Sequence, residues 1–155
     1  MELNILERLS STIDGDALIV PFWHSKKKPE TAYPCKEYEQ ALILPIAIKD
    51  FCGKLGETTI VYTTGCKYKR LVLLGLGEKS TCTVEVLRRA YSFAIKIAHS
   101  KSWKHLSVCI PKVRGITLLD TSSAVLEGVA LTNYLFLQYK TCLLYTSDAA
   151  DERSS

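Results

Sequence analysis

What the chain lacks narrows its functions before what it contains is weighed. It has six cysteines (Cys35, Cys52, Cys66, Cys82, Cys109 and Cys142), but no two are closer than 14 residues and there is no CxxC pair. Two thiolates on one metal need short spacing, so the pattern excludes a zinc ribbon and suits reduced thiols in a cytoplasmic protein. Glu2 and Glu7 interrupt the N-terminus, and no apolar stretch there leads to a small-residue cleavage site, which argues against a secretion signal. The longest apolar run, Ala41 to Ile48, contains Pro45. A bilayer span needs about 20 apolar residues, so no membrane partner is expected.

Charge of one sign is also scarce. Twenty basic residues face sixteen acidic ones, a net +4, and only Lys26, Lys27 and Lys28 form a run, stopped by Pro29. A nucleic-acid footprint clusters its cations on one face, so these three lysines read as a solvated loop and nucleic acid is not indicated. There is no HExxH, no GxSxG elbow and no GxxxxGK[ST] loop, and the carboxylates are dispersed. What remains is 155 residues, 47% apolar and 23% charged, the composition of one globular domain.

The apolar residues that are present are arranged as an α/β protein. Ala17 to Phe22, Thr58 to Thr64, Arg70 to Leu74 and Leu106 to Ile110 are short apolar or β-branched runs bounded by glycine, proline or polar turns, and they predict strands. Runs without alternation suit strands buried on both faces. From Val84 to Ser100 the polar residues Glu85, Arg88, Arg89, Ser92, Lys96, His99 and Ser100 share one side of a helical wheel. Thr83 is the expected N-cap. The resulting strand–helix–strand unit is βαβ. Cys35 to Ile48 is predicted to be helical as far as Pro45. A last helix, Thr121 to Tyr139, has apolar residues over most of its wheel. It should be buried on more than one side, or meet something the chain does not contain.

Chemistry-bearing residues give little. His24, His99 and His105 are the only imidazoles, and none has a carboxylate or second histidine at metal spacing. His99 lies on the polar side of its helix and is expected to face water. Gly75-Leu76-Gly77 follows a buried strand, but a dinucleotide fingerprint wants a third glycine where Ser80 stands and an acid near Lys96 and Ile97. A strand-ending turn is the simpler reading. No catalytic, cofactor-binding or metal-binding residue is assigned.

Five segments in order, GDALIVPFW (Gly15–Trp23), DFCGKLGE (Asp50–Glu57), KRLVLLGLG (Lys69–Gly77), the helix after them and EGVALTNYLFLQYK (Glu127–Lys140), resemble the N-terminal domain of the leucyl, or cytosol, aminopeptidases. The closing helix departs from the family at Leu135 and Leu137, where a basic and an acidic residue are common. The resemblance implies a three-layer αβα fold with a mixed, mainly parallel sheet, macro-domain-like. It also implies a metallo-exopeptidase that releases N-terminal residues, preferentially leucine, from peptides, assembled as a homo-hexamer. In such enzymes two divalent metals, zinc or manganese, polarise the scissile carbonyl and supply a hydroxide. The family's ligands lie in a C-terminal catalytic domain whose hallmark string is absent from this sequence, so the chain itself is expected to be inactive and to hold no cofactor. The alternative is a macro-like module for a nucleotide or ADP-ribose-type ligand, with Gly75 to Gly77 as its sequence support.

From Cys142 to Glu152 the string CLLYTSDAADE resembles one reading frame of a transposon-based sequencing adaptor. Residues 1–141 are therefore read as the family domain and 142–155 as a foreign, disordered tail. Without the tail the chain carries 19 basic and 13 acidic residues, a net +6, and five cysteines.

Overall fold

The computed structural model describes residues 2–6, 15–32 and 36–134. Within them six strands form one mixed sheet. They are β1 (Glu2–Leu6), β2 (Ala17–Trp23), β3 (Glu30–Thr31), β4 (Thr58–Tyr62), β5 (Arg70–Gly75) and β6 (His105–Cys109). The order is β1-β6-β2-β5-β4, with β3 beside the end of β2. The β1–β6, β6–β2 and β2–β5 pairs are parallel, and β4 and β3 join antiparallel. The helices are α1 (Glu39–Ala47), α2 (Val84–Ser100) and α3, helical over residues 118–134.

β2 shows why the apolar runs do not alternate. All seven of its residues are buried. Leu18, Val20 and Phe22 pack with Leu71, Leu73, Tyr38, Leu42 and Phe51 on one face of the sheet. Ala17, Ile19 and Trp23 pack with Val72, Leu74, Leu87, Tyr91 and Val125 on the other. Each large apolar side chain removed from water contributes about 1.5–3 kcal/mol, so the central strands carry much of the stability. Helix α1 covers the first face and α2 with α3 the second, the three-layer αβα arrangement expected.

α2 and α3 bury the same periodicity. On α2 the buried positions are Leu87, Ala90, Tyr91, Ala94, Ile95 and Ala98. On α3 they are Thr121, Ala124, Val125, Gly128, Val129 and Thr132. The two helices approach closely at Gly128, where a Cβ would lie 2.5 Å from the Arg88 carbonyl oxygen. The Arg88 guanidinium donates to Glu127 of α3 at 2.6 Å and pairs with Glu85 of its own helix.

Local chemistry sets the helix starts. The Thr83 hydroxyl accepts from the Val86 N–H at 3.2 Å, the expected cap. Thr117 Oγ1 accepts from the Asp120 N–H at 3.1 Å, so α3 begins at 118 rather than Thr121. Its predicted reach to Tyr139, and Leu135 and Leu137, extend outside the described residues. α1 runs through Pro45 to Ala47 instead of ending at the proline. In a final turn a proline forfeits only its own bond, to the Ala41 carbonyl, and the Leu44 and Pro45 carbonyls are satisfied by Ile48 and Asp50 N–H groups. β1 and β3 were not expected from the sequence.

α3 is more apolar than its packing uses. Within the described residues it is buried on one side only, and Leu118, Leu119, Leu126, Leu131 and Tyr134 stay exposed, Leu119 at 76%. No described helix is long and apolar enough to cross a membrane.

Candidate functional site

In open α/β sheets ligands gather outside the carboxyl ends of the parallel strands. Here that end is built from three segments: the residues leaving β2 (His24 onward), the loop from the end of α1 to β4, and the turn leaving β5. The turn Gly75-Leu76-Gly77 is fully engaged. The Gly75 N–H donates to Glu57 O at 2.8 Å, Leu76 N–H to Phe22 O at 2.8 Å and Gly77 N–H to Gly53 O at 3.0 Å. A phosphate cradle needs free N–H groups, and none of these three is available. A Cβ at Gly75 would lie 2.0 Å from the Lys54 carbonyl oxygen, so this glycine is required by the loop pressed against it.

That loop explains the Asp50–Glu57 motif. The Glu57 carboxylate accepts from the Cys52 N–H at 3.1 Å and the Lys54 N–H at 3.0 Å, closing the loop on itself. His24 Nδ1 lies 2.9 Å from the Cys52 carbonyl oxygen. A carbonyl only accepts, so Nδ1 carries the proton and the imidazole is a strut across the β2 exit.

Beside this strut lies a cleft of about 920 Å³. Its floor is apolar, with Phe22, Leu42, Ile46 and Phe51, and its rim carries Lys26, Lys27, Lys28, Lys49 and Lys54 against Glu30 and Glu39. None of the five lysines is ion-paired with a carboxylate of the described residues. Lys49 holds a left-handed backbone, φ 60°. That is a helix-closing geometry, with the Lys49 N–H on the Ile46 carbonyl and the Asp50 N–H on that of Pro45. The Lys26–Lys28 run is exposed, as a solvated loop should be, but it also lines a concavity. Sequence reasoning could not see this because Lys49 and Lys54 come from a segment some twenty residues away.

The other sequence candidates are not brought together. His24 is at the carboxyl end of β2, His105 at the amino end of the parallel strand β6, and His99 in the last turn of α2. His99 is partly buried, not in water as its wheel position suggested. The cysteines described, Cys52, Cys66, Cys82 and Cys109, carry thiols rather than disulfides. Burial pushes the Cys82 thiol up to about 11, so it stays protonated and unreactive near neutral pH. The buried phenols serve the fold: Tyr91 donates to the Cys109 carbonyl at 2.6 Å, and Tyr68 to Ser107 Oγ at 2.6 Å. Burial drives the Tyr38 phenol up to about 12. Cys35 and Cys142 lie outside the described residues, as does the segment read as foreign.

Among the described residues no three His, Cys, Asp or Glu side chains are grouped so as to hold an ion.

Fold and site together define an α/β domain in which the Gly75–Gly77 turn is bonded to the Gly53–Glu57 loop and to β2. Residues 19–142 match the N-terminal domain of the cytosol aminopeptidase family, and the chain belongs to that family as this domain. It is 31% identical over 141 residues to a protein of Protochlamydia amoebophila named "Probable cytosol aminopeptidase", covering 91% of this chain and 28% of that protein. A Clostridium perfringens protein of the same name is 31% identical over 139 residues, with 89% and 27% covered. The chain thus spans little more than a quarter of the length of these relatives. Among solved structures, a tomato leucine aminopeptidase variant superposes with a TM-score of 0.63 at 20% identity, covering 85% of this chain and 28% of that one. The bottromycin maturation enzyme BotP superposes at 0.55 and 13% identity, covering 76% and 23%. At these identities the superpositions establish the fold.

Proposed function

We propose that this chain is the non-catalytic, architectural domain of a cytoplasmic metallo-aminopeptidase, an exopeptidase that removes N-terminal residues, preferentially leucine, from peptides. The family match over residues 19–142, covering about a quarter of each relative, supports this reading. The two divalent ions, zinc or manganese, belong to the remainder of such a protein. No step of hydrolysis is assigned to residues of this chain. Incubated with leucine amide and manganese, the 155-residue chain is expected to show no turnover; metal-dependent hydrolysis would overturn the proposal. The genomic DNA beyond the Thr141 codon is expected to continue into a metal-binding peptidase domain, and a stop codon there would count against it. Residues 142–155 are then a foreign tail.

The exposed apolar side of α3 favours a structural role in the assembly, a homo-hexamer by analogy with the family. Leu118, Leu119, Leu126 and Leu131 form a surface that solvent does not suit. A clean monomer at high concentration in sizing experiments would weigh against it. The macro-like reading, with a nucleotide or ADP-ribose-type ligand cradled by Gly75 to Gly77, loses its support because the turn's N–H groups are bonded within the protein.

A further inference from the structure

We infer that the cleft between the β2 exit and α1 is a binding site for a small organic anion, with the apolar body on the floor and the charged head at the lysine rim. Four observations converge on that chemistry. Its volume, about 920 Å³, falls in the range of small-molecule sites, roughly 300–1,000 Å³. It opens at the carboxyl end of a central parallel strand. Phe22, Leu42, Ile46 and Phe51 give it a floor that attracts carbon and offers no side-chain hydrogen bond. Five lysines against two glutamates give the rim a positive field with no carboxylate of the described residues seated on it.

The walls are held as a preorganised site requires. The His24 bond to the Cys52 carbonyl and the two Glu57 bonds to loop N–H groups fix the Cys52–Glu57 wall without involving any lysine head. Lys49 is held in its left-handed conformation where α1 ends. With the glycine turn closed, the head meets lysine ammonium groups, which bind a carboxylate or a phosphate monoester as point charges.

The test uses the 155-residue chain, isotope-labelled, and three probes with one aromatic body: naphthoate, naphthyl phosphate and naphthalene methanol. Either anion is expected to shift the backbone amides of residues 22–31 and 39–54, and the tighter of the two identifies the preferred head group. Binding should weaken as salt rises. The combined substitution Lys26→Glu, Lys27→Glu, Lys28→Glu should weaken anion binding by about tenfold, and Lys54→Glu by a few-fold, with amide dispersion unchanged. The exposed side of α3 carries Asp120 and Glu127 and no lysine, so it serves as an internal control. The inference is overturned if naphthalene methanol binds the cleft as well as the anions do, if the anions perturb α3 alone, or if the lysine substitutions leave affinity unchanged.

Discussion

Helices α2 and α3 lie on the same face of the sheet and bury the same i, i+3, i+4, i+7, i+8, i+11 pattern, yet their outer sides are opposites. α2 turns Glu85, Arg89, Lys96 and Ser100 to solvent, and its one exposed aromatic, Phe93, lies under the Lys96 ammonium at 5.1 Å. α3 turns out Leu118, Leu119, Leu126, Leu131 and Tyr134. Inward periodicity makes a helix part of a core; outward composition records whether anything further covers it. By that criterion α2 is finished by water, and α3 is not finished within the described residues.

The comparison can be broken at its inward half first. Gly128→Val places a side chain where a Cβ already meets the Arg88 carbonyl oxygen at 2.5 Å, forcing α3 away from α2. Overpacking of this kind costs about 3 kcal/mol, which a urea titration would detect as a lowered midpoint. A Gly128→Val protein as stable as its parent would mean that the helices are not tightly apposed.

The chain leaving α2 is anchored by Asp16, whose carboxylate accepts from the N–H groups of Lys104 at 2.7 Å and His105 at 3.0 Å. Those bonds, His105 first, hold its carboxyl below the usual range. A carboxyl lowered on folding stabilises above its unfolded value of about 3.9, and the stabilisation is lost as pH falls through the lower folded value. Asp16→Asn keeps an acceptor and removes the charge. It should cost about 1 kcal/mol at neutral pH and flatten that acid-side loss, measured by thermal unfolding across pH.

Smaller effects separate the helix pair from its surface. Glu127→Gln leaves the shape and removes the charge facing Arg88, and should lower the urea midpoint only slightly, since the pair is solvent-exposed. Leu119→Lys combined with Leu131→Lys should change stability by less than about 0.5 kcal/mol, because neither side chain is buried. Its effect should appear in sedimentation as reduced self-association. A large loss of stability instead would show that the outer side of α3 is packed within this chain.

The strands read most easily from the sequence were those whose residues are buried whatever their neighbours do. Ala17 to Phe22 and Arg70 to Leu74 carry apolar side chains to both faces, so no pairing partner had to be known. β1 and β3 exist only through their partners: β3 is two residues, Glu30 and Thr31, placed by pairing with Trp23 and Phe22. The polar side of α2 was legible because its solvent is water, whereas His99 is partly buried in spite of its wheel position. The Gly75–Gly77 turn was legible as a turn, but which carbonyls consume its N–H groups depends on the distant Gly53–Glu57 loop. The cleft was the least legible feature, since its rim joins lysines from segments whose proximity depends on how α1 folds over the β2 exit.

The parallel pairing of β1 with β6 sets a schedule for synthesis. Glu2 is in register with His105, so β1 is made about a hundred residues before β6, the strand it pairs with. At about 5–20 residues per second a nascent chain waits about 5–20 s for that partner. During that interval the edge of β1 is open to pairing with other chains. This five-residue strand is therefore completed late, however early it is made.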